Sequence, residues 1–165
     1  MKLVKHCHNC QTHWNLNHLP PTELHGLSEP WPFSAWGIDI IGKIKPQASN
    51  VHRFIVVAID YFSKWVEAES FRNMTAKQMA KFISRNIIYR YGMPHHVVTD
   101  NAVKFQGETR DMLRRHGIGH HKSSPYRPQA SGAVEAANKT LKKILAIMTE
   151  TDKDWADKVP YALWG

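Results

Sequence analysis

The sequence has little cysteine and no long hydrophobic run. Its two cysteines, Cys7 and Cys10, are too few for a disulfide scaffold, and their spacing indicates metal ligands or a redox pair in a reducing compartment. The longest apolar run covers only residues 54–59, whereas a membrane-spanning helix needs about 20 apolar residues. No apolar segment follows Met1. The sequence therefore predicts neither membrane insertion nor secretion.

Acidic residues are scarce relative to basic ones. The chain has 14 Asp and Glu against 22 Lys and Arg, which gives a formal net charge of +8. This balance suits a polyanionic partner such as nucleic acid, but many solvated domains are also basic, so charge alone leaves both interpretations open. The length of 165 residues and the hydrophobic content of 42% predict one folded domain with a substantial core.

Hydrophobic periodicity predicts an α/β fold after a loop-rich segment at residues 1–35. Three adjacent strands with short connections suggest an antiparallel meander, and helices and strands then alternate. The strands are predicted at 36–41, 54–59, 64–69, 97–99 and 118–122, and the helices at 75–91, 106–116, 133–148 and 155–163. Residues 123–132 are predicted to be a loop because two prolines and a glycine interrupt them.

Three acidic residues occupy positions that suit chemistry. Asp39 lies between two isoleucines in a predicted strand, Asp100 ends another strand, and Glu135 lies near the start of a helix. Buried carboxylates are costly unless they are paired, so a cluster of them would be stabilised mainly by divalent cations such as Mg²⁺ or Mn²⁺. Two such ions support phosphoryl transfer on nucleic acids. Taken singly, each residue also fits a structural role, as a strand-end acid, a turn residue or a first-turn helix acid.

The order of these motifs resembles the catalytic core of retroviral and LTR-retrotransposon integrases, most closely gypsy-type elements of plants. The matching segments are residues 36–39, 54–65, 99–101 and 125–139. The resemblance implies an RNase H-like fold, a central mixed five-stranded sheet flanked by helices. It also implies that Asp39, Asp100 and Glu135 form a D,D,E triad that binds two Mg²⁺ or Mn²⁺ ions.

The resemblance further implies DNA contacts and self-association. Tyr126 would lie in a loop beside the retroelement DNA end, and the basic residues Arg127, Lys139, Lys142 and Lys143 would contact phosphate. Helical spacing places Asn138, Lys139 and Lys142 on the same face as Glu135, which in the family faces DNA. The implied activity is metal-dependent 3′-end processing and strand transfer, by a homo-oligomer located in the nucleus or in a cytoplasmic particle.

Two departures from the family pattern keep an inactive remnant open as the alternative, one that retains only nucleic-acid binding. The first is the spacing, since 34 residues separate Asp100 from Glu135, one fewer than in most members of the family. The second concerns the ends. Residues 1–30 are expected to be a remnant of a zinc-binding N-terminal domain and a linker, and residues 31–165 a C-terminally truncated core. Cys7 and Cys10 match half of the zinc motif, so zinc binding and a disordered remnant both stay open.

A ribonuclease H with the same fold is disfavoured, because that class needs a further carboxylate in the first helix and residues 75–91 contain none. Glu67 and Glu69 are expected on a solvated strand face rather than in a paired-acid site. Asp60 is expected to brace a turn. Three histidines are expected in a polar connection rather than as metal ligands: His116, His120 and His121. Four tryptophans are expected in the core: Trp36, Trp65, Trp155 and Trp164.

Overall fold

A computed structural model describes residues 31–99, 105–122, 139–140, 143–144 and 154–163. These residues contain a five-stranded sheet with the strand order β3-β2-β1-β4-β5. The strands are β1 (Ala35–Gly42), β2 (Phe54–Asp60), β3 (Val66–Phe71), β4 (His96–Thr99) and β5 (Gly119–Lys122). Strands β1, β2 and β3 pair antiparallel, whereas β4 pairs parallel to β1 and β5 parallel to β4. The sheet is therefore mixed, as the sequence predicted.

Helices flank this sheet. They are α1 (Ala76–Phe82), a π-helical segment (Ile83–Ile88), α2 (Tyr89–Tyr91), α3 (Glu108–Arg115) and α4 (Trp155–Ala162). Residues 139–140 and 143–144 are also helical. The rest of the helix predicted at 133–148, and the loop predicted at 123–132, lie outside the described residues.

The first helical run follows the predicted course from residue 75 to residue 91. Thr75 caps it, since its side chain accepts a hydrogen bond from Gln78 N while the Thr75 backbone N–H donates to Gln78 Oε1. The run ends at Gly92, whose φ of 89° suits glycine. Its middle turns are π-helical, a detail that the apolar spacing did not predict.

Each face of the sheet is covered by its own apolar cluster. Trp36, Ile38 and Val97 belong to one cluster, which packs under α1 and α3. The other face carries Ile55, Val57 and Ile59, which pack with Trp155 of α4. The Trp155 indole also donates to Pro46 O at 3.1 Å. Burial of β2 on both faces therefore follows from its position inside the sheet.

Two expectations about local placement are wrong. Strand β3 begins at Val66 rather than at Lys64, because Lys64 belongs to the turn, where it has a φ of 63°. Trp36 and Trp155 are fully buried as expected, but Trp65 is 51% exposed at the start of the edge strand. Trp164 lies outside the described residues.

Glu67 is not on a solvated face, which corrects another expectation. The residue is only 7% exposed, and its carboxylate accepts hydrogen bonds from Trp65 Nε1 at 3.0 Å, an Arg90 guanidinium nitrogen at 2.7 Å and Tyr91 Oη at 2.5 Å. Burial, and then the hydrogen bond to Glu67, raise the pKa of Tyr91. Residue Glu69 is half-buried and accepts from Asn86 at 2.8 Å. Both acids thus anchor β3 to the helical run.

Glu67→Gln is expected to lower the free energy of unfolding by about 1–3 kcal/mol, because one of the three donors would then face an amide N–H₂ group. Glu69→Gln on the same strand is the matched control and should cost less, since a single donor meets Glu69. Denaturant unfolding of both variants measures the difference. Equal losses of unfolding free energy in the two variants would mean that the additional donors around Glu67 contribute nothing to stability.

Candidate active site

Asp39 is the one residue of the predicted triad that lies within the described part of the chain. It sits in the central strand β1, opposite Val57 of β2, and its side chain is half-buried. Its Oδ1 accepts a hydrogen bond from Ile40 N at 2.7 Å. A carboxylate on a central strand, flanked by buried strands, is positioned more rigidly than one on a loop.

The register between β1 and β4 relates Asp39 to the end of β4. Ile38 pairs with Thr99, which is the last residue of β4. The residue after Ile38 is Asp39, and the residue after Thr99 is Asp100, which lies outside the described residues. The two parallel strands therefore run toward the same end of the sheet, and Asp39 lies one residue beyond the last paired position.

Of the predicted DNA-contacting residues, only Lys139 and Lys143 fall within the described residues, where both are helical and exposed. They lie one helical turn apart. The other predicted site residues lie outside the described part of the chain: Cys7, Cys10, Asp100, Tyr126, Arg127, Glu135, Asn138 and Lys142. Within that part, no three His, Cys, Asp or Glu side chains are grouped closely enough to hold a metal ion.

Asp60 braces a turn, as predicted, and does so from a fully buried position. One carboxylate oxygen accepts from Phe33 N at 3.0 Å, and the other accepts from Ser63 N at 2.7 Å and Ser63 Oγ at 2.6 Å. The residue thus joins the segment before β1 to the turn after β2. This role is structural, because its oxygens are already engaged by these donors.

The histidines are more ordered than a polar connection would be. His116 is exposed, but His120 and His121 belong to β5. His120 Nε2 lies 2.8 Å from Thr99 Oγ1, and its ring stacks on Phe105 at a centroid distance of 5.9 Å. Burial, followed by the charge of Lys122, lowers the pKa of His120 from its ordinary value of 6.5.

This lowered pKa predicts a pH dependence of stability. Because the folded state favours neutral His120, its contribution is fully present above about pH 6.5, the unfolded value, and is lost as pH falls through the lower folded value. His120→Gln should therefore flatten the decline in unfolding free energy between pH 7.5 and 5.5. We expect His116→Gln, at an exposed histidine, to keep the wild-type slope. A His120→Gln slope equal to that of the wild type would contradict this assignment.

The chain matches the family model described as "Integrase core domain" over residues 29–128. It therefore belongs to the integrase core domain family, as the motifs predicted. Among described relatives, it is 30% identical over 162 residues to the transposon Tf2-3 polyprotein of Schizosaccharomyces pombe. That match covers 94% of this chain and 12% of the polyprotein, so the chain spans about an eighth of that relative.

Two solved structures share the fold. One is a chain of the simian T-cell lymphotropic virus intasome in complex with a PP2A regulatory subunit, and its TM-score is 0.69. The two sequences are 25% identical, and the match covers 99% of this chain and 58% of that chain. The other is the catalytic core domain of BIV integrase, with a TM-score of 0.64 and 29% identity over 79% of this chain and 80% of that chain. The mixed sheet with flanking helices is thus the RNase H-like fold of integrase cores. No helix in the described residues is long and apolar enough to cross a membrane.

Proposed function

We propose that this chain is the catalytic core of a retroelement integrase, a metal-dependent polynucleotidyl transferase that processes 3′ ends and transfers strands of retroelement DNA. The observation that supports this most is the position of Asp39. It is a half-buried carboxylate on the central strand of an integrase-type sheet, one residue beyond the pairing of Ile38 with Thr99.

We assign the triad to Asp39, Asp100 and Glu135. Asp100 directly follows Thr99 in the sequence, as Asp39 follows Ile38. Because Ile38 and Thr99 are partners on neighbouring parallel strands, which lie about 4.8 Å apart, this register supports a shared site for the two acids. Glu135 precedes the helical Lys139 by four residues in the sequence, a spacing that on a helix brings side chains to one face.

A site of three carboxylates suits Mg²⁺ or Mn²⁺, because these hard cations prefer oxygen ligands. Two such ions, when bound, supply an activated water or 3′-hydroxyl and stabilise the leaving oxygen. The chain itself contributes rigidity: Asp39 is fixed by its strand and by the hydrogen bond from Ile40 N. Zinc binding by Cys7 and Cys10 stays a separate prediction for the segment before residue 31.

Strand β5 lies within the one-residue-shorter stretch between Asp100 and Glu135. Its four residues pair without a bulge against His96–Thr99. Ile118, immediately before the strand, is buried in the cluster under α1 and α3. This supports retained activity over the inactive remnant. The first helical run has no acid in its first turns, which agrees with the argument against a ribonuclease H.

For DNA binding, we propose that the exposed Lys139 and Lys143 contact phosphate, together with Arg127, Tyr126, Asn138 and Lys142. The double substitution Lys139→Ala/Lys143→Ala should weaken binding to duplexes of any sequence. Its slope of log affinity against log salt should be shallower by about 2, because each lost phosphate contact removes about 0.9 from the slope. A control pair, Lys77→Ala/Lys81→Ala on α1, should keep the wild-type slope. Fluorescence anisotropy at several salt concentrations measures both slopes. An unchanged slope in the Lys139→Ala/Lys143→Ala variant would show that these two lysines do not contact phosphate.

We also propose self-association. A cleft of ≈ 550 Å³ lies between β3 and the end of α4, and Trp65, Glu69 and Leu163 are among its lining residues. Trp65 is 51% exposed there. A second copy that covers this face would bury an aromatic side chain of the kind that is enriched at interfaces.

The test of the proposed activity is Mn²⁺-dependent disintegration of a branched DNA substrate, a reversal of strand transfer, with wild type and Glu135→Gln side by side. We expect the wild type to cleave and rejoin the branch and the variant to do neither. A folded wild type without activity at any Mn²⁺ concentration would instead establish the inactive remnant.

A further inference from the structure

Two histidines from neighbouring strands meet on one face of the sheet. In the parallel register of β4 and β5, His96 pairs with Gly119 and Val98 pairs with His121. His96, Gly119 and His121 therefore share a face, with His121 two residues beyond the glycine. The His96 Nδ1 and His121 Nε2 atoms are 3.1 Å apart. Their ring centroids are 4.9 Å apart, with the ring planes inclined by 59°.

Gly119 provides the space in which these nitrogens meet. A Cβ atom at this position would lie 2.6 Å from His96 Nδ1 and 3.4 Å from His121 Nε2. The first distance is shorter than any ordinary carbon contact, so a side chain here would push His96 away. Both nitrogens thus converge over a position that only glycine leaves open.

These distances match two ligands of one metal ion. Zinc binds imidazole nitrogen at about 2.0–2.1 Å, so two nitrogens on the same ion lie about 3.0–3.4 Å apart, with ring centroids about 4.8 Å apart at the shorter spacings. A straight, head-on hydrogen bond would instead separate the centroids by about 5.4 Å when the donor–acceptor distance is near 3.1 Å. The observed 3.1 Å and 4.9 Å fit converging rings.

We propose that His96 and His121 form a two-histidine site for a borderline transition-metal dication, Zn²⁺ or Cu²⁺. Imidazole suits these ions, whereas Mg²⁺ and Mn²⁺ prefer the oxygen ligands of the proposed triad. His121 is exposed and His96 is half-buried, so water can complete the coordination. His96 pairs with Ala35 of β1, four residues before Asp39, so about 13 Å of strand separates this site from Asp39.

Such an ion would join the edge strand β5 to β4. Strand β5 pairs with β4 over only four residues, and an edge strand of this length gains little from backbone pairing alone. An ion bound by one ligand from each strand stabilises the folded state by binding it in preference to the unfolded one. The site therefore offers a way to hold the strand that leads into residues 123–135.

Isothermal titration calorimetry with ZnCl₂ tests the proposal in the full chain. The background protein carries Cys7→Ser and Cys10→Ser, which remove the two cysteines as candidate zinc ligands. We expect His96→Ala and His121→Ala each to weaken one Zn²⁺ site about tenfold or more. His116→Ala is the matched control at an exposed histidine of the same region and should keep that site. Continuous-wave electron paramagnetic resonance with one equivalent of Cu²⁺ should show two nitrogen ligands in the background protein and one in either variant.

Gly119→Ala gives a test that keeps both histidines. It should weaken the same Zn²⁺ site because the added Cβ displaces His96 Nδ1. Unfolding midpoints without metal verify that each variant is folded. The proposal would be overturned if folded His96→Ala and His121→Ala both kept the Zn²⁺ affinity and the Cu²⁺ spectrum of the background protein. It would also be overturned if only His116→Ala lost the site.

Discussion

Asp39→Asn is expected to abolish Mn²⁺-dependent disintegration, with a rate loss of about 1,000-fold or more, the size seen when a member of a catalytic unit is removed. The substitution keeps the size and shape of the side chain and replaces a charged oxygen with a neutral amide. A neutral amide is a much weaker ligand for a hard cation than a carboxylate. The loss should therefore persist at saturating DNA, because it affects chemistry rather than substrate binding.

The same substitution should leave the fold intact. Asp39 pairs through its backbone with Val57, and that pairing does not depend on its charge. We expect an unfolding midpoint equal to or above that of the wild type without metal, since a half-buried carboxylate costs more to desolvate than a neutral amide. Asp111→Asn, at an exposed acid whose ion pair with Arg114 spans 3.8 Å, is the matched control and should remain active. Activity retained in Asp39→Asn would remove Asp39 from the triad.

Asp60→Ala is expected to lower the free energy of unfolding by about 3–5 kcal/mol, the largest stability effect that we predict. The carboxylate is fully buried and accepts three hydrogen bonds, from Phe33 N, Ser63 N and Ser63 Oγ. Its removal leaves two backbone N–H groups without these acceptors in a water-poor region. Denaturant unfolding monitored by tryptophan fluorescence measures this loss.

Two companion variants separate the contributions at this turn. Ser63→Ala removes only the hydroxyl donor and should cost about 1 kcal/mol. Asp60→Asn keeps one acceptor oxygen and should fall between the other two variants. Should Asp60→Ala prove no worse than Ser63→Ala, the bond from Phe33 N would contribute nothing, and Asp60 would not join the segment before β1 to the turn.

The sequence by itself determined the class of fold and the family. Strands β1 and β2 were predictable because β-branched and aromatic residues fill them, and the helical run at 75–91 was predictable because its apolar residues recur at helical spacing. The integrase motifs predicted the family that the comparison over residues 29–128 confirmed. These features are local in sequence, so they can be read without knowing what lies across the fold.

Only the tertiary structure decided which polar residues are buried and which partners they meet. Glu67 appeared solvated from its strand alternation, yet Arg90 and Tyr91, more than 20 residues away, enclose it. His96 and His121 meet because two parallel strands pair in one register above a glycine. Hydrophobic periodicity reports which face of an element is apolar, whereas these contacts depend on which distant element packs against that face.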